Sequence, residues 1–515
     1  MDAHSIPLLA RAAQYGDRLA LVAEDGQLSY AQLLERSAQA ATRLLQARSA
    51  ANGAAPHPAG LDGARIAFLA PAGLAYAQTT WAIWQAGGVA VPLCTLHPEP
   101  ELRHVVTDAD ASLLVAHPAF QERLAPLAES LGLPLLTTTA LLAREPVAGP
   151  PLPKVSGAAG ALILYTSGTT GKPKGVLTTH EILAAQLSSV TRAWEYAPED
   201  RSLLVLPLHH LHGILNILWG TLWAGGVCEM HAQFSAQEVW DRITAQDGLT
   251  LFMAVPTIYA KLTMAYRAAS PAEQSAMTAG CQALRLMVCG SAALPTTTLN
   301  AWREISGHTL LERYGMTEIG MALGNPLHGE RRPGHVGTPF PNVEVRIADA
   351  QDSPLPEGEI GQIQVRGPNV FHSYFRRPQD TATSFTTDGF FRTGDMAVCE
   401  GGVYRILGRA SVDILKTGGY KVSALEIEAS LREHGDIVDC AVVGLPDPEW
   451  GQRVAAAVIL SPGSTLDLQR LRDFAKTRLA TYKVPTRLLQ VDELPRNAMG
   501  KVQKPAVAAL FEETS

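Results

Sequence analysis

The sequence predicts an α/β protein with a large N-terminal domain of layered helices and sheets, a β-rich subdomain and a small α+β domain at the C-terminal end. Three observations support this prediction. The chain has 515 residues, too many for one ordinary hydrophobic core, so at least two domains are expected. Helical and strand-like patterns alternate past residue 290, which is typical of layered, largely parallel sheets. Beyond about residue 334, polar and apolar residues alternate as they do in half-exposed strands.

The first half of the chain supplies the elements of the layered domain. Residues 29–47 have the apolar spacing of a helix, and Ser29 is suited to cap its first turn. The Ala-, Gly- and Pro-rich residues 47–63 are expected to form an exposed loop. The next predicted elements are a strand over 65–69, a helix over 75–86, a strand over 88–92 and a helix that begins at Pro256.

The last third of the chain has a different texture. Three segments alternate with a period of two and predict antiparallel strands: 343–347, 361–365 and 402–406. A short αβ region follows, with a helix expected over 423–433 and a strand over 440–444. We therefore expect one domain over residues 1–409 and a second over residues 410–515.

Composition argues against several classes of protein. The formal net charge of −7 gives no electrostatic reason to bind nucleic acid or an anionic membrane. No apolar run reaches the roughly 18 residues that a membrane span needs. None of the six cysteines forms a CxxC pair, so neither a zinc site nor a disulfide framework is indicated. A reducing cytoplasm is the simplest location, with a mitochondrial protein numbered without its presequence as the alternative.

A glycine-rich loop, residues 165–175, follows the apolar strand pattern of residues 161–164. Glycines let the backbone approach a ligand, while hydroxyl and ammonium groups can surround phosphate oxygens. The spacing differs from that of the common P-loop, and Pro173 prevents the loop from running directly into a helix. The candidate phosphate-binding residues are Thr166, Ser167, Gly168, Thr169, Thr170, Gly171, Lys172 and Lys174.

A second motif covers residues 312–318, Glu-Arg-Tyr-Gly-Met-Thr-Glu. Gly315 beside the aromatic Tyr314 suits a purine that lies on a backbone turn. Glu318 beside Thr317 offers the hard oxygen ligands that Mg²⁺ prefers. Alone, such a string is most often structural, but downstream of a phosphate-binding loop it predicts a nucleotide and magnesium site.

Three further motifs complete a family resemblance: Arg-Thr-Gly-Asp at 392–395, Gly-Arg at 408–409, and Pro-Arg-Asn-Ala-Met-Gly-Lys at 495–501. In this order, the motifs resemble those of the adenylate-forming enzymes, which include acyl-CoA synthetases, luciferases and peptide-synthetase adenylation domains. The resemblance extends from about residue 15 to residue 505. It implies ATP as a substrate, Mg²⁺ as a cofactor and a small, mobile C-terminal domain.

The resemblance also implies a role for each motif residue. Thr317 would hold the α-phosphate, Glu318 the Mg²⁺, and Tyr314 would stack on adenine. Asp395 and Arg409 would bind the ribose. Lys501 would be catalytic, meeting the substrate carboxylate and the α-phosphate as charge builds up in the transition state. The other expected ATP-binding residues are Gly290, Ser291, Ala292, Glu312, Arg313, Gly315 and Met316.

The implied reaction has two steps. ATP first converts a carboxylate into an acyl-AMP with loss of pyrophosphate, and the thiol of CoA then displaces AMP. In the family, the C-terminal domain rotates between the steps and brings in the segment that is here 416–421, where Gly418, Gly419 and Tyr420 would line the CoA tunnel. The family's hinge residue falls at Ser411, although the segment from Arg409 to Gly419 is one residue longer than in many relatives.

Three groups of residues bear on which acid is activated. In the motif 207–213, simple packing is the alternative for each histidine, but the resemblance places His210 beside the acyl carbonyl and His212 in the acyl pocket. Lys261 would either be solvated or meet a second carboxylate of the substrate. Arg331, next to Arg332, is a further candidate for charge recognition, with a solvated position as the alternative.

Within the family, the strings at 307–323 and 412–426 resemble the malonyl-CoA synthetases, especially those of mitochondria. Malonate is therefore the expected acid, with methylmalonate as a slower substrate. The alternatives are a medium-chain or aryl acyl-CoA ligase, or an amide-forming adenylating ligase with an amine or a carrier-protein thiol as acceptor.

Overall fold

Helices and strands alternate along most of the computed structural model, which describes residues 5–52, 60–149, 151–166, 173–418, 420–497 and 500–513. In this part of the chain the α-helices are α1 (Pro7–Ala12), α2 (Tyr30–Asn52), α3 (Leu74–Gln85), α4 (Glu99–Asp108), α5 (Gln121–Leu131), α6 (Thr138–Leu141), α7 (His180–Ala193), α8 (Gly220–Ala224), α9 (Ala236–Thr244), α10 (Pro256–Ala268), α11 (Pro271–Gln282), α12 (Thr296–Ser306), α13 (Pro378–Ser384), α14 (Ala424–Leu431), α15 (Leu468–Lys476) and α16 (Lys504–Glu513). Short 3₁₀ helices cover Ala13–Tyr15, Pro118–Phe120 and Thr481–Lys483, and a π-helix covers His212–Trp219.

The strands of the described residues fall into four sheets. In chain order they are β1 (Leu19–Ala23), β2 (Gly26–Ser29), β3 (Arg65–Leu69), β4 (Val89–Pro92), β5 (Ala111–Ala116), β6 (Leu135–Thr137), β7 (Gly160–Thr166), β8 (Lys174–Thr179), β9 (Arg201–Leu204), β10 (Val227–Met230), β11 (Leu251–Ala254), β12 (Leu286–Cys289), β13 (Leu311–Met316), β14 (Gly320–Gly324), β15 (Thr338–Pro339), β16 (Glu344–Ala348), β17 (Gly361–Arg366), β18 (Ser373–Tyr374), β19 (Phe391–Glu400), β20 (Val403–Arg409), β21 (Ile414–Thr417), β22 (Tyr420–Ser423), β23 (Ile437–Asp447), β24 (Gly451–Leu460) and β25 (Arg487–Gln490).

The two large sheets are mostly parallel, as the alternation of helix and strand predicted. One has the order β15-β14-β13-β12-β11-β9-β10-β1-β2 and the other β18-β8-β7-β4-β3-β5-β6. Strands β11, β12 and β13 run parallel, and so do β3, β4 and β5. The strands of both sheets consist almost entirely of apolar residues, because helices cover the faces of each sheet. A large core, rich in tryptophan, lies between the two sheets and their helices, and a second, smaller apolar cluster packs strands β3, β4 and β5 against helices α4 and α5.

The β-rich subdomain is the antiparallel sheet β16-β17-β19-β20. The three predicted period-two segments lie in β16, β17 and β20, so these strand predictions are confirmed. The C-terminal sheet, β22-β21-β24-β23 with β25 beside β24, packs its two faces into separate small cores. Both the helix predicted over 423–433 and the strand predicted over 440–444 are present there.

One predicted boundary is wrong. The exposed loop was expected to begin at residue 47, but α2 continues to Asn52. Residues 47–52 include three alanines, and alanine is the strongest helix former, so the chain gains by extending the helix. The predicted cap is confirmed, because the Ser29 hydroxyl accepts the Gln32 N–H at 3.2 Å while the Gln32 side chain accepts the Ser29 N–H.

No helix in the described ranges is long and apolar enough to cross a membrane. The large core instead buries several aromatic side chains, among them Trp81, Trp84 and Trp219, whose rings lie within 6 Å of one another in two pairs. Trp219 ends the π-helix. Such helices occur most often next to functional sites, and this one begins at His212, in the histidine motif.

Candidate active site

A cavity of about 1550 Å³ lies between the N-terminal sheets and the loop of residues 495–503, here called the lysine loop. Strand ends and the turns that follow them supply most of its lining, as expected for sheets whose strands run parallel. Its walls include Thr166, Lys174, His209, His210, His212, Ser291, Arg313, Gly315, Met316, Thr317, Glu318, Thr393, Gly394, Arg409, Arg496, Asn497 and Lys501. Motifs far apart in the sequence therefore meet in one place.

The two described ends of the glycine-rich loop lie on antiparallel strands at this cavity. Thr166 ends β7, Lys174 begins β8, and the two residues face each other in the ladder. The loop leads into a strand rather than a helix, as Pro173 predicted. The Lys174 Nζ atom lies 3.1 Å from the Asp380 carboxylate and 5.3 Å from the centre of the Tyr374 ring. The other predicted phosphate-binding residues, Ser167, Gly168, Thr169, Thr170, Gly171 and Lys172, lie outside the described residues.

Tyr314 and Asp395 form a hydrogen-bonded cluster with Arg409, which lines the cavity. Asp395 and Arg409 are cross-strand partners on β19 and β20, and their side chains pair at 2.9 Å. The Tyr314 hydroxyl donates to the other Asp395 oxygen at 2.5 Å. Burial opposes the charge of Arg409, but nearby carboxylates, Asp395 first, outweigh it and raise its pKa. The cluster presents a carboxylate and a guanidinium that are already oriented for a polar ligand.

Glu318 is the buried carboxyl group of the site, 4% exposed. Its Oε1 atom accepts the Tyr374 hydroxyl at 2.9 Å, while its Oε2 atom has no hydrogen-bond partner. Burial raises the pKa of Glu318, because the charged form loses its water. A buried carboxylate oxygen without a partner suits a cation that approaches from the cavity. Among the described residues no group of three His, Cys, Asp or Glu is placed to hold a metal.

Arg313, Ser291 and His212 line a small polar pocket within the cavity. The Arg313 guanidinium donates to the Ser291 hydroxyl at 3.2 Å, and that hydroxyl lies 3.2 Å from the His212 Nδ1 atom. Arg313 is 5% exposed and its Nε atom has no partner. Burial lowers its pKa to about 10. No carboxylate of the described residues pairs with this guanidinium, so it remains a cation without a counter-ion.

The residues that support Arg313 explain why it is held so closely. A Cβ atom on Gly290 would lie 2.6 Å from the Arg313 Nε atom, so only glycine leaves room for the guanidinium. Ser291 has a φ of 70°, an unusual angle for a residue other than glycine. Ala292, predicted with these two to contact the nucleotide, is exposed on the turn. The sequence motif assigned Arg313 to ATP, whereas the structure brings it to the histidines.

The histidines are neutral groups at the centre of the site. Burial lowers the pKa of His212 far below its usual value, and the Arg313 charge lowers it further. Burial likewise lowers the pKa of His210, followed by the effects of His209 and Lys501. The rings of His209 and His210 lie 4.1 Å apart, and both Nε2 atoms are without partners. Because these imidazoles are neutral, the positive charge in the pocket is that of Arg313.

Lys501 reaches this site from the lysine loop. Its backbone N–H donates to the Asn497 side chain at 3.0 Å, and its carbonyl accepts the Asn497 N–H at 2.9 Å. Lys501 is exposed within the cavity, although other protein groups surround it. Burial lowers the pKa of Lys501, Arg409 lowers it further, and Asp395 and Glu318 partly compensate. Lys501 therefore lies close enough to Arg409, Asp395 and Glu318, which are predicted to bind the nucleotide and Mg²⁺, for their charges to affect it.

Three other predicted residues lie away from the cavity. Lys261 is exposed on α10, with its ammonium 5.8 Å from the Phe234 ring. Arg331 donates to the carbonyls of Thr309, at 2.6 Å, and of Leu327, so it fastens a loop. Glu312 faces the opposite side of β13 from Arg313 and accepts the Gly334 N–H at 3.0 Å.

The predicted CoA residues lie on another face of the C-terminal sheet. Gly418 has a φ of 55°, and a Cβ atom there would lie 2.8 Å from the Trp450 ring. Tyr420 is exposed and stacks on Tyr482 with 4.2 Å between ring centres. Ser411, the predicted hinge residue, is exposed in the turn after β20. Gly419 lies outside the described residues.

Family comparisons agree with this geometry. Residues 8–375 match the family described as AMP-binding enzyme, and residues 426–501 match the AMP-binding enzyme C-terminal domain. The chain belongs to the AMP-binding enzyme family. The resemblance inferred from the motifs is therefore confirmed, and the α/β fold predicted with it is confirmed as well.

Several proteins that are similar in sequence to this AMP-binding enzyme are named malonate–CoA ligase. It is 46% identical to the mouse protein named malonate–CoA ligase ACSF3, mitochondrial, over 97% of this chain and 90% of the relative. It is 43% identical to the human protein of that name, over 98% and 92%. The Arabidopsis thaliana protein named malonate–CoA ligase is 40% identical, over 95% and 85%.

Solved structures are similar over nearly the whole AMP-binding enzyme. ATP-bound MatB from Rhodopseudomonas palustris is 33% identical and superposes with a TM-score of 0.89, covering 99% of both chains. A malonyl-CoA ligase in a product complex with methylmalonyl-CoA and AMP is 35% identical, with a TM-score of 0.67, covering 96% of this chain and all of that one. ATP and CoA are thus the substrates that this family's structures indicate.

Proposed function

We propose that this chain is an AMP-forming malonate–CoA ligase, which consumes ATP and makes malonyl-CoA through a malonyl-adenylate. The names of the relatives support the proposal, and the observation that carries it is the buried Arg313 guanidinium. It lies in the cavity with no acidic partner among the described residues. A dicarboxylic acid would supply the missing negative charge.

Energetics favour a dicarboxylate over a plain fatty acid. A hydrogen bond to a charged group contributes roughly 1.5–3 kcal/mol. An acid without a second carboxylate would leave the buried cation unpaired, at a cost of roughly 3–5 kcal/mol. One added methyl group changes binding by only roughly 1–3 kcal/mol. Malonate is therefore the preferred substrate and methylmalonate a slower one.

The first step is the attack of a malonate carboxylate oxygen on the α-phosphorus of ATP, with pyrophosphate leaving. Lys501 stabilises the charge that builds up between the carboxylate and the α-phosphate. Asp395 and Arg409 bind the ribose, and Tyr314 lies against the adenine. Arg313 holds the second carboxylate, which leaves the first one free to react.

Glu318 would hold Mg²⁺ in this site, together with phosphate oxygens of ATP and the hydroxyl of Thr317. The unpartnered Oε2 atom fits a cation of this kind. Mg²⁺ supplies neutralisation of phosphate charge when bound. The glycine-rich loop from Thr166 to Lys174 would hold the remaining phosphate oxygens.

In the second step, CoA displaces AMP after the C-terminal domain, residues 410–515, rotates against residues 1–409. The structure has Lys501 at the cavity and Gly418 away from it, which suits the first step. Two MatB structures from one organism support such rearrangement, since the ATP-bound form superposes on this chain with a TM-score of 0.89 and the apo form with 0.78. His210 would gate the acyl carbonyl between the steps.

The free thiols bear on the cellular location. All six cysteines are free, and five are buried. A reducing compartment suits them, either the cytoplasm or, by analogy with the relatives named mitochondrial, the mitochondrial matrix.

A pyrophosphate-release screen tests the proposed function. Malonate, methylmalonate, propionate, octanoate and benzoate are each supplied with ATP, Mg²⁺ and CoA. Malonate should give the highest kcat/KM, with methylmalonate next and octanoate at background. A preference for octanoate or benzoate would overturn the malonate assignment, and product formation with amines in place of CoA would point to an amide-forming ligase.

A further inference from the structure

Six charged side chains form a continuous chain of ion pairs in the C-terminal region, here called the charge chain. Cations and anions alternate along it: Arg496, Asp439, Arg432, Glu428, Lys504 and Asp413. The Arg496 guanidinium lies 2.5 Å from the Asp439 carboxylate. The Arg432 guanidinium lies 3.2 Å from Asp439 and 3.5 Å from Glu428. Lys504 pairs with Glu428 and lies 3.6 Å from Asp413.

The middle of the charge chain is shielded from water. Glu428 is 4% exposed, and its Oε1 atom also accepts the Val442 N–H at 2.8 Å. Lys504 donates to the Val442 carbonyl at 2.7 Å. Its ammonium group therefore has three oxygen partners: this carbonyl and the carboxylates of Glu428 and Asp413. Such buried, fully partnered charges fix geometry more than they add stability.

Two cations of the charge chain, Arg496 and Lys504, lie on either side of Lys501 in the sequence. Arg496 precedes Lys501, donates to the Gly500 carbonyl at 2.5 Å and is bound to Asp439. Lys504 follows Lys501 and begins α16. Between these anchors, the bridge from Arg496 to Val502 closes the loop. The backbone that carries Lys501 is therefore held from both sides.

The charge chain also reaches the connection between the two domains. The Asp413 carboxylate accepts the Arg409 N–H at 3.0 Å, and the Asp413 N–H donates to the Arg409 carbonyl at 2.8 Å. A Cβ atom on Gly408 would lie 2.4 Å from the Asp413 Cβ, so the chain passes closely at this point. Arg409 itself lines the cavity, opposite Lys501.

We propose that the charge chain positions Lys501 for adenylation, with Lys504 and Asp413 as its positioning residues. The inference rests on the proposed role of Lys501. Asp413 fixes the turn after Arg409 and, through Lys504, fixes the lysine loop relative to that arginine. The two cations that meet the substrates, Arg409 and Lys501, are thereby held at a set separation although they belong to different domains.

The test separates the two half-reactions. Adenylation is followed as malonate-dependent exchange of pyrophosphate into ATP, and thioester formation by supplying prepared malonyl-adenylate and CoA. The variants are Lys504→Met, Asp413→Asn and the conservative Lys504→Arg. Lys476→Met is the matched control, since Lys476 pairs with Asp473 at 3.6 Å on the exposed face of α15. Lys501→Ala tests the underlying role, and thermal unfolding of each variant shows that it folds.

Lys504→Met and Asp413→Asn should lower the kcat of adenylation roughly 100-fold, because misplacement of a catalytic group by about 1 Å costs that much. The KM values for ATP and malonate should stay within about threefold, since substrate binding is not removed. Thioester formation should be retained, Lys504→Arg should restore adenylation, and Lys476→Met should behave as the unaltered protein.

Full adenylation by Lys504→Met and Asp413→Asn would overturn the inference, and so would equal loss of both half-reactions in variants that fold. If Lys504→Met does not fold, the isosteric Asp413→Asn decides in the same way. A Lys501→Ala protein that still adenylates would instead overturn the role of Lys501, and the positioning inference with it.

Discussion

At the scale of single residues, the assignment of the acid depends on where one cation lies. Lys261 and Arg331 were the sequence candidates for a second carboxylate, but neither lines the cavity, whereas Arg313 does. It is buried and hydrogen-bonded to Ser291, whereas Lys261 is exposed on α10. A buried cation without a counter-ion is costly in the free protein, so a bound anion gains both the attraction and the relief of that cost.

Replacing Arg313 with methionine should reduce the preference for malonate over propionate. The kcat/KM for malonate should fall roughly 10- to 150-fold, which corresponds to the loss of about 1.5–3 kcal/mol from a charged hydrogen bond. That for propionate, which lacks the second carboxylate, should change much less. The measurement is pyrophosphate release with each acid, and Lys261→Met is the matched control. An unchanged malonate-to-propionate ratio in Arg313→Met would exclude this residue as the carboxylate anchor.

The residue types and their order were predictable from the sequence, but the directions of some side chains were not. The spacing of Thr257 and Lys261 puts them on one face of α10, opposite the buried Ile258 and Leu262. It could not show that this face points to solvent, because that depends on how α10 packs on the sheet. In the same way, the motif at 312–318 indicated a nucleotide site without showing that Arg313 turns toward the histidines.

At the scale of elements, β13 combines two chemistries by strand alternation. Arg313 faces the cavity, while Glu312 faces the loop at residues 325–335. That loop binds β13 through the Gly334 N–H and through the Asn325 side chain, which donates to the Glu312 carbonyl at 3.0 Å. Burial raises the pKa of Glu312 from 4.5 to about 8, so the carboxyl group carries a proton over part of the neutral range.

Glu312 should make the stability of the protein decrease as pH rises. Its folded-state pKa is raised, so the folded protein binds the extra proton, and the contribution is complete below about pH 4.5 and lost as pH rises through about 8. The slope is at most about 1.4 kcal/mol per pH unit. Glu312→Gln should flatten it, as measured by thermal midpoints from pH 5 to pH 8.5. Parallel pH profiles for the two proteins would show that Glu312 does not titrate in this range.

Helices and strands that are determined by local sequence could be predicted, whereas those that depend on distant residues could not. The period-two strands β16, β17 and β20 and the start of α10 at Pro256 came from local pattern and from proline geometry. The π-helix at His212–Trp219 had no such signal. Its last residue, Trp219, packs against Trp81 and Trp84, which are distant in sequence.

At the scale of the whole molecule, the C-terminal region presents two different faces. One carries Lys501 to the cavity, and the other carries Gly418 beside Trp450 and Tyr420 stacked on Tyr482. The sequence named both segments through family resemblance, but it could not predict which face the structure would turn inward. That choice is made by long-range contacts and charges across the two domains.

A substitution on the outward face should impair one half-reaction and spare the other. In Gly418→Ala, the new methyl group would meet the Trp450 ring and the backbone would keep an unfavourable φ of 55°. Formation of malonyl-CoA should therefore slow by roughly tenfold or more, which corresponds to about 1.4 kcal/mol, while CoA-independent pyrophosphate exchange continues. Equal losses in both assays would argue against separate faces for the two steps.

The cavity lining also has a consequence for how substrates arrive. Its described residues include seven lysines and arginines but three aspartates and glutamates, in a protein whose net charge is −7. ATP, malonate and CoA are all anions, so the average field of the protein repels them while the field at the mouth of the cavity draws them in. Encounter rates should therefore be governed by this local focusing, and salt in the surrounding solution should slow capture of all three substrates together.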